Sequence, residues 1–244
     1  CHTAPAVLLV VPYILAATLR SDNFGDTYAY RSVFREAPSK IAALPLYLEG
    51  IKKDKGFSVL IVIIKALIGN SPILFFMFIA TVQMLCMAFI YRKYSENYWM
   101  SIFVFVAGTD YMSWCHNGIR QFLAIAIIMA GFPLLLKRKY IPLIAIILLG
   151  ATFHASALLM IPIIFIVQGK AWNKKSVLCI LGCILILIFV NRYTDGMNDA
   201  LSNTQYSNMV TDWKEWEDNG TNPIRVFVYS IPMIFSVVGR RQIK

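Results

Sequence analysis

Residues 72–91 read PILFFMFIATVQMLCMAFIY, twenty positions without one Asp, Glu, Lys or Arg, and Arg92-Lys93 follow at once. A helix of about 20 apolar residues, rising about 1.5 Å per residue, crosses the roughly 30 Å hydrocarbon core of a bilayer. Similar apolar blocks lie on both sides, at 3–19, 56–69, 98–114, 118–136, 141–167, 175–190 and 224–238. Polar connectors separate them at 20–55, 92–97, 115–117, 137–140, 168–174 and 191–223. The 244 residues are 58% hydrophobic and only 15% charged, whereas soluble domains carry about a quarter charged residues. This excludes a soluble globular enzyme, a disordered chain and a secreted disulfide scaffold. The blocks also lack the two-residue alternation of an outer-membrane barrel. The expected fold is an all-α polytopic membrane protein, a single domain over residues 1–244 with about seven to eight helical segments.

The net charge of +10 reads as a topology signal rather than a nucleic-acid one, because Lys and Arg are retained in cytoplasmic loops. Arg92-Lys93, Lys137-Arg138-Lys139, Lys170 with Lys174-Lys175, and Arg240-Arg241 therefore belong inside. The connector 115–117 has no Lys or Arg and belongs outside. So does the loop 191–223, which holds Asp195, Asp199, Asp212, Glu215, Glu217 and Asp218 against Arg192 and Lys214. With basic connectors at both ends, the stretch 141–167 must cross zero or two times. Its length, about 40 Å as one helix, is too great for one plain span and too small for two. A broken helix or hairpin turning near Ala151-Thr152-Phe153-His154-Ala155-Ser156 resolves the conflict; one long tilted helix is the alternative. The block 56–69 is short and carries Lys65. Read as re-entrant or interfacial, it places the connector 20–55 outside; a full crossing would place it inside.

The chain begins at Cys1 and ends on the basic run Gly239-Arg240-Arg241-Gln242-Ile243-Lys244, which reads as a fragment of a longer membrane protein without a signal-peptide pattern. Cys179 and Cys183, four apart on one helix face, read as small-residue packing rather than a disulfide or metal pair. His2, His116 and His154 form no metal-binding array, so no metal is expected.

Four groups of residues carry possible chemistry. The first is Arg20-Ser21-Asp22-Asn23-Phe24-Gly25-Asp26-Thr27-Tyr28-Ala29-Tyr30-Arg31. Arginine holds phosphate oxygens bidentately, a carboxylate accepts a hydroxyl proton, and tyrosine rings cover sugar faces. An interfacial rim of snorkelling Arg and belt Tyr is the plainer reading. The second is Asn117-Gly118-Ile119-Arg120-Gln121. Arg120 sits on the expected outer side, against the positive-inside trend, and calls for a partner: a bound phosphate, or a carboxylate such as Asp110. The third is His154 with Ser156, a proton relay or a helix–helix tie. The fourth is Trp213 and Trp216 in the acidic loop, either a sugar platform or an interfacial anchor.

The order of these elements resembles the EpsG family, related to Wzy-type polysaccharide polymerases. The likeness runs over most of residues 13–190. It rests on Gly25-Asp26-Thr27-Tyr28-Ala29-Tyr30, Gly56-Phe57, Asn117-Gly118-Ile119-Arg120-Gln121-Phe122-Leu123-Ala124, the basic turn Lys137-Arg138-Lys139, and Phe153-His154-Ala155-Ser156-Ala157. Family members often carry an acid immediately before the Gly-Phe pair. Here Lys55 stands there and Asp54 one place earlier, so the sequence assigns Asp54 no role.

The resemblance implies a bacterial cytoplasmic-membrane glycosyltransferase. It would join undecaprenyl-diphosphate-linked oligosaccharide repeats at the outer face, without cofactor, metal or nucleic acid, among membrane lipids and other polysaccharide-assembly proteins. Arg20 and Arg120, with Arg31 in reserve, would hold the diphosphate. Asp26, or else His154, would act as base. Tyr28, Tyr30, Gln121, Trp213 and Trp216 would contact sugar. A flippase for the same lipid-linked sugars and a structural membrane subunit are the competing readings.

Overall fold

A computed structural model describes residues 8–107, 110–169, 172–185 and 223–241. Every regular element among them is helical. In order these are α1 (Val11–Thr18), α2 (Thr27–Glu36), a 3-10 turn (Ile41–Ala43), α3 (Leu44–Glu49), α4 (Lys55–Ile68), α5 (Pro72–Tyr94), α6 (Tyr98–Ala107), α7 (Asp110–Asn117), α8 (Ile119–Ala130), α9 (Phe132–Leu136), α10 (Tyr140–Phe153), a second 3-10 turn (Ala155–Leu159), α11 (Met160–Ile166), α12 (174–185) and α13 (Pro223–Val238). Contacts divide the chain into two compact units, Cys1–Ile161 and Pro162–Lys244. In the second unit the indole N–H of Trp172 donates to the Ser236 carbonyl and hydroxyl oxygens, both at 3.1 Å.

The first unit is built on α5. Pro72 stands at its N-terminus, where a missing N–H costs nothing, and Ser71 accepts from the Leu74 amide. Among the described residues α5 alone is long and apolar enough to cross a membrane by length and composition. Its first half packs into a core of Phe34, Phe57, Ile61, Phe75, Phe76, Ile79, Ile119 and Leu123, which joins α2, α4, α5 and α8. Its second half packs Met84, Met87 and Ala88 with Val10, Phe105 and Cys115.

The expected count of seven to eight segments does not appear as that many long rods. Apolar helices of 10–17 residues stand at Tyr98–Ala107, Ile119–Ala130, Tyr140–Phe153, Ala155–Ile166 and Phe227–Val238. The breaks have local causes. The block 118–136 is interrupted at Gly131, just ahead of Pro133, whose ring cannot sit inside a continuing helix. The stretch 141–167 is interrupted at His154, whose backbone is extended (φ −157°, ψ 123°) between α10 and the 3-10 turn. The block 56–69 folds as α4, about 21 Å long by helix rise and so too short for a plain span. Cys179 and Cys183 form no disulfide.

Lys65 on α4 is explained by its surroundings. The residue is 3% exposed. Its ammonium donates to the carbonyls of Phe34 (3.0 Å), Arg35 (2.6 Å) and Ala37 (2.6 Å), which belong to the C-terminal end of α2. Those carbonyls have no partner inside their own helix and carry the negative end of its dipole. A buried cation there satisfies them and is itself neutralised, fixing α2 on α4.

Candidate functional site

The turn preceding α2 docks on the end of α7. Gly25 adopts a left-handed conformation (φ +52°), and a Cβ on it would collide with the Asn117 side chain. Only glycine meets both conditions without strain. Phe24 meets the His116 ring edge-to-face at 5.4 Å, and the Arg20 guanidinium donates to the His116 carbonyl at 3.1 Å. The first and second sequence clusters, about ninety residues apart, are thus brought together.

Asp26, next in the chain after Gly25, lines a cavity of about 590 Å³, within the 300–1,000 Å³ typical of ligand sites. Its walls include Asp26, Tyr30, Tyr47, Lys52, Lys53, Asp54 and Arg120. Asp26 precedes α2 and its carbonyl starts that helix by accepting from the Tyr30 amide; its side chain is exposed. Tyr30 is buried, edge-to-face with Phe57 at 6.0 Å. Arg120, in the first turn of α8, lies 6.0 Å from the Tyr30 ring centroid.

The partner of Arg120 is Asp54. Its Oδ2 lies 2.6 Å from the guanidinium, and the Asp54 side chain is 5% exposed against 35% for Arg120. Asp54 has a left-handed backbone (φ +55°), a region in which Asp and Asn are several-fold enriched among non-glycine residues. Its carbonyl accepts from the Phe57 and Ser58 amides while its carboxylate, instead of capping α4, turns to Arg120. The Arg120 Nε is buried without a hydrogen-bond partner among the described residues. The Asp110 side chain lies outside the described ones.

The other expected residues are distributed as follows. Arg20 is not on this cavity. It lines a second, very small hollow with Phe76, Gln83 and His116, its guanidinium 4.2 Å over the Phe76 ring. Burial pulls its pKa down to about 10, which leaves it charged at neutral pH. Arg31 pairs with Asp22 at 3.0 Å. Tyr28 and Gln121 are exposed and line neither hollow. His154 is half-buried, with Nδ1 2.7 Å from the Ser156 hydroxyl, and the charges of Asp54, Arg120 and Lys53 act on it. Trp213 and Trp216 lie outside the described residues.

The model of the EpsG family matches residues 4–244. The chain belongs to the EpsG family. Nothing matches it among curated proteins or among solved structures. Family and apolar helices together mark this EpsG-family chain as a membrane protein, with a function of the exopolysaccharide-polymerase type.

Sequence reasoning missed the three charged residues Lys52, Lys53 and Asp54 of the cavity wall, and Tyr47 beside them. The available signal was the charge run Lys52-Lys53-Asp54-Lys55 placed directly before an apolar helix. It reads as a solvated loop until the fold turns it toward Arg120.

Proposed function

We propose that the chain is a polysaccharide polymerase. It joins oligosaccharide repeats carried on undecaprenyl diphosphate at the outer face of the bacterial cytoplasmic membrane. The observation that carries this reading is the shared cavity, where Asp26 and Tyr30 from the start of α2 meet Arg120 from α8. Exposed apolar side chains suit a lipid setting: Trp99, Phe103, Ile141 and Phe235 are all more than 60% exposed. In this reading several helices besides α5 are lipid-embedded, broken ones included, since irregular backbone is tolerated at depth only where protein or a water-filled hollow surrounds it. The connector 20–55 lies outside.

The growing chain enters as a glycosyl diphosphate. A hydroxyl of the incoming repeat attacks the anomeric carbon, the carbon–oxygen bond to the diphosphate breaks, and the electron pair leaves on the diphosphate oxygen. Arg120 stabilises that growing negative charge. Asp26 accepts the hydroxyl proton; His154, held to the Ser156 hydroxyl and off the cavity wall, is the second candidate. Tyr30 offers an aromatic face to sugar. Arg20 and Arg31 hold the turn that carries Asp26. Other polysaccharide-assembly proteins are the expected partners.

The test is polymer yield in cells from Asp26→Asn, Arg120→Gln and His154→Gln that insert normally. Loss in the first two, with single repeats accumulating outside, is expected. Wild-type polymer from all three removes this site, and repeats trapped inside favour a flippase.

A further inference from the structure

The cations on the cavity wall are a different set from the arginines named from the sequence. Lys52, Lys53 and Arg120 stand on its wall with Asp26 and Asp54, while the guanidinium of Arg20 is turned away onto Phe76. Arg120 is the cation best placed to hold an anion, yet one of its terminal nitrogens is occupied at 2.6 Å by a carboxylate that is almost wholly buried. Its Nε is buried with no hydrogen-bond partner among the described residues. The carboxylate reaches Arg120 from a left-handed residue 54, and the N-terminus of α4 is left without a side-chain cap. A carboxylate and a phosphate present similar oxygen pairs to a guanidinium.

We propose that Lys52, Lys53 and Arg120 form the seat for a diphosphate, and that Asp54 is its exchangeable counter-ion, holding Arg120 until a phosphate group displaces it. This rests on the polymerase reading for the ligand's class and adds to it two binding residues and one specificity-determining residue. Binding is then an exchange. The diphosphate takes over the guanidinium and draws the lysine ammoniums, and the released Asp54 carboxylate faces the cavity. Because Asp54 competes with the ligand, removing its charge strengthens binding. A residue that merely braced Arg120 would weaken binding when changed.

The experiment measures binding to the full chain in phosphatidylcholine nanodiscs. The probes are farnesyl diphosphate, inorganic diphosphate and phosphatidylglycerol-containing discs. Asp54→Asn suits the left-handed backbone, since Asn tolerates it well; Asp54→Gly is the second variant, and it too removes the charge without opposing the backbone. Both are expected to bind farnesyl diphosphate about two- to fivefold more tightly, the scale of a partly exposed ion pair lost as competitor. Lys52→Gln/Lys53→Gln is expected to bind about tenfold more weakly. Unchanged or weaker binding by both Asp54 variants overturns the exchange. Unchanged binding by the double lysine variant overturns the seat. Phosphatidylglycerol competing as well as farnesyl diphosphate assigns the site to a lipid headgroup and overturns the diphosphate assignment. Wild-type polymer from Asp26→Asn, Arg120→Gln and His154→Gln together defeats the polymerase site, whereas farnesyl diphosphate binding in nanodiscs is read separately and tests only the seat and its exchange.

Discussion

Replacing Lys65 by Met tests how the site is held. The ammonium donates to three carbonyls at the end of α2, at 3.0, 2.6 and 2.6 Å, and is 3% exposed. Methionine fills nearly the same volume, so little cavity opens. What is lost is a set of charge-assisted hydrogen bonds, worth about 1.5–3 kcal/mol each, offset by relief from burying a cation. Removing one side of a buried charge interaction costs about 3–5 kcal/mol net. At about 2–4 °C per kcal/mol for a chain of this size, the melting temperature falls by about 6–20 °C. The assay follows the reaction of a fluorogenic maleimide with the buried Cys115 thiol, in a background that keeps no other cysteine, while purified protein is heated in detergent. Polymer yield falls in parallel, because α2 carries Tyr30 and is started by Asp26. Lys65→Arg, which keeps the charge but not the compact head, lies between. A melting temperature for Lys65→Met within about 2 °C of wild type refutes the carbonyl clamp.

Further outcomes follow from the close approaches and from topology. Gly25→Ala forces a side chain into left-handed backbone against Asn117; it is expected to cost about 1–2 kcal/mol and to reduce polymer, measured by thermal shift and yield. Gly56→Ala drives a Cβ into Thr152, with the Thr152 backbone carbon also at 2.9 Å, so adding Thr152→Ala recovers only part of the lost stability; full recovery would show that the hydroxyl alone sets the spacing. Arg20→Ala removes the stack on Phe76 and the bond to the His116 carbonyl. It is expected to lower stability while leaving farnesyl diphosphate affinity within about twofold, and a tenfold loss would return Arg20 to the binding site. A cysteine at exposed position Asn23, in a variant lacking the natural cysteines, should label in intact cells with an impermeant maleimide; protection until the cells are lysed places the turn inside.

Much of this protein is legible in one dimension because lipid imposes a long-wavelength rule: about twenty apolar residues without charge make a helix that needs no partner to satisfy its backbone. That rule yields the all-helical class and the block at 72–91; the basic connectors flanking 141–167 add the interruption near His154, and the resemblance to the family rests separately on the order of short motifs. Lys65 looks like a defect in an apolar segment, and its acceptors are carbonyls some thirty residues earlier that no pattern links to it. Arg120 demands an anion, but the sequence offers Asp110 nearby and gives Asp54 no role. Which carboxylate wins depends on a left-handed turn and on α4 and α8 sharing one core. Arg20 and Arg120 look equivalent as outer-face cations; packing stacks one on Phe76 and opens the other to a cavity with Lys52 and Lys53. Helices are encoded by neighbours within a few residues. Charge pairing at a site is settled by which helix faces meet, and that is decided only when the tertiary structure closes.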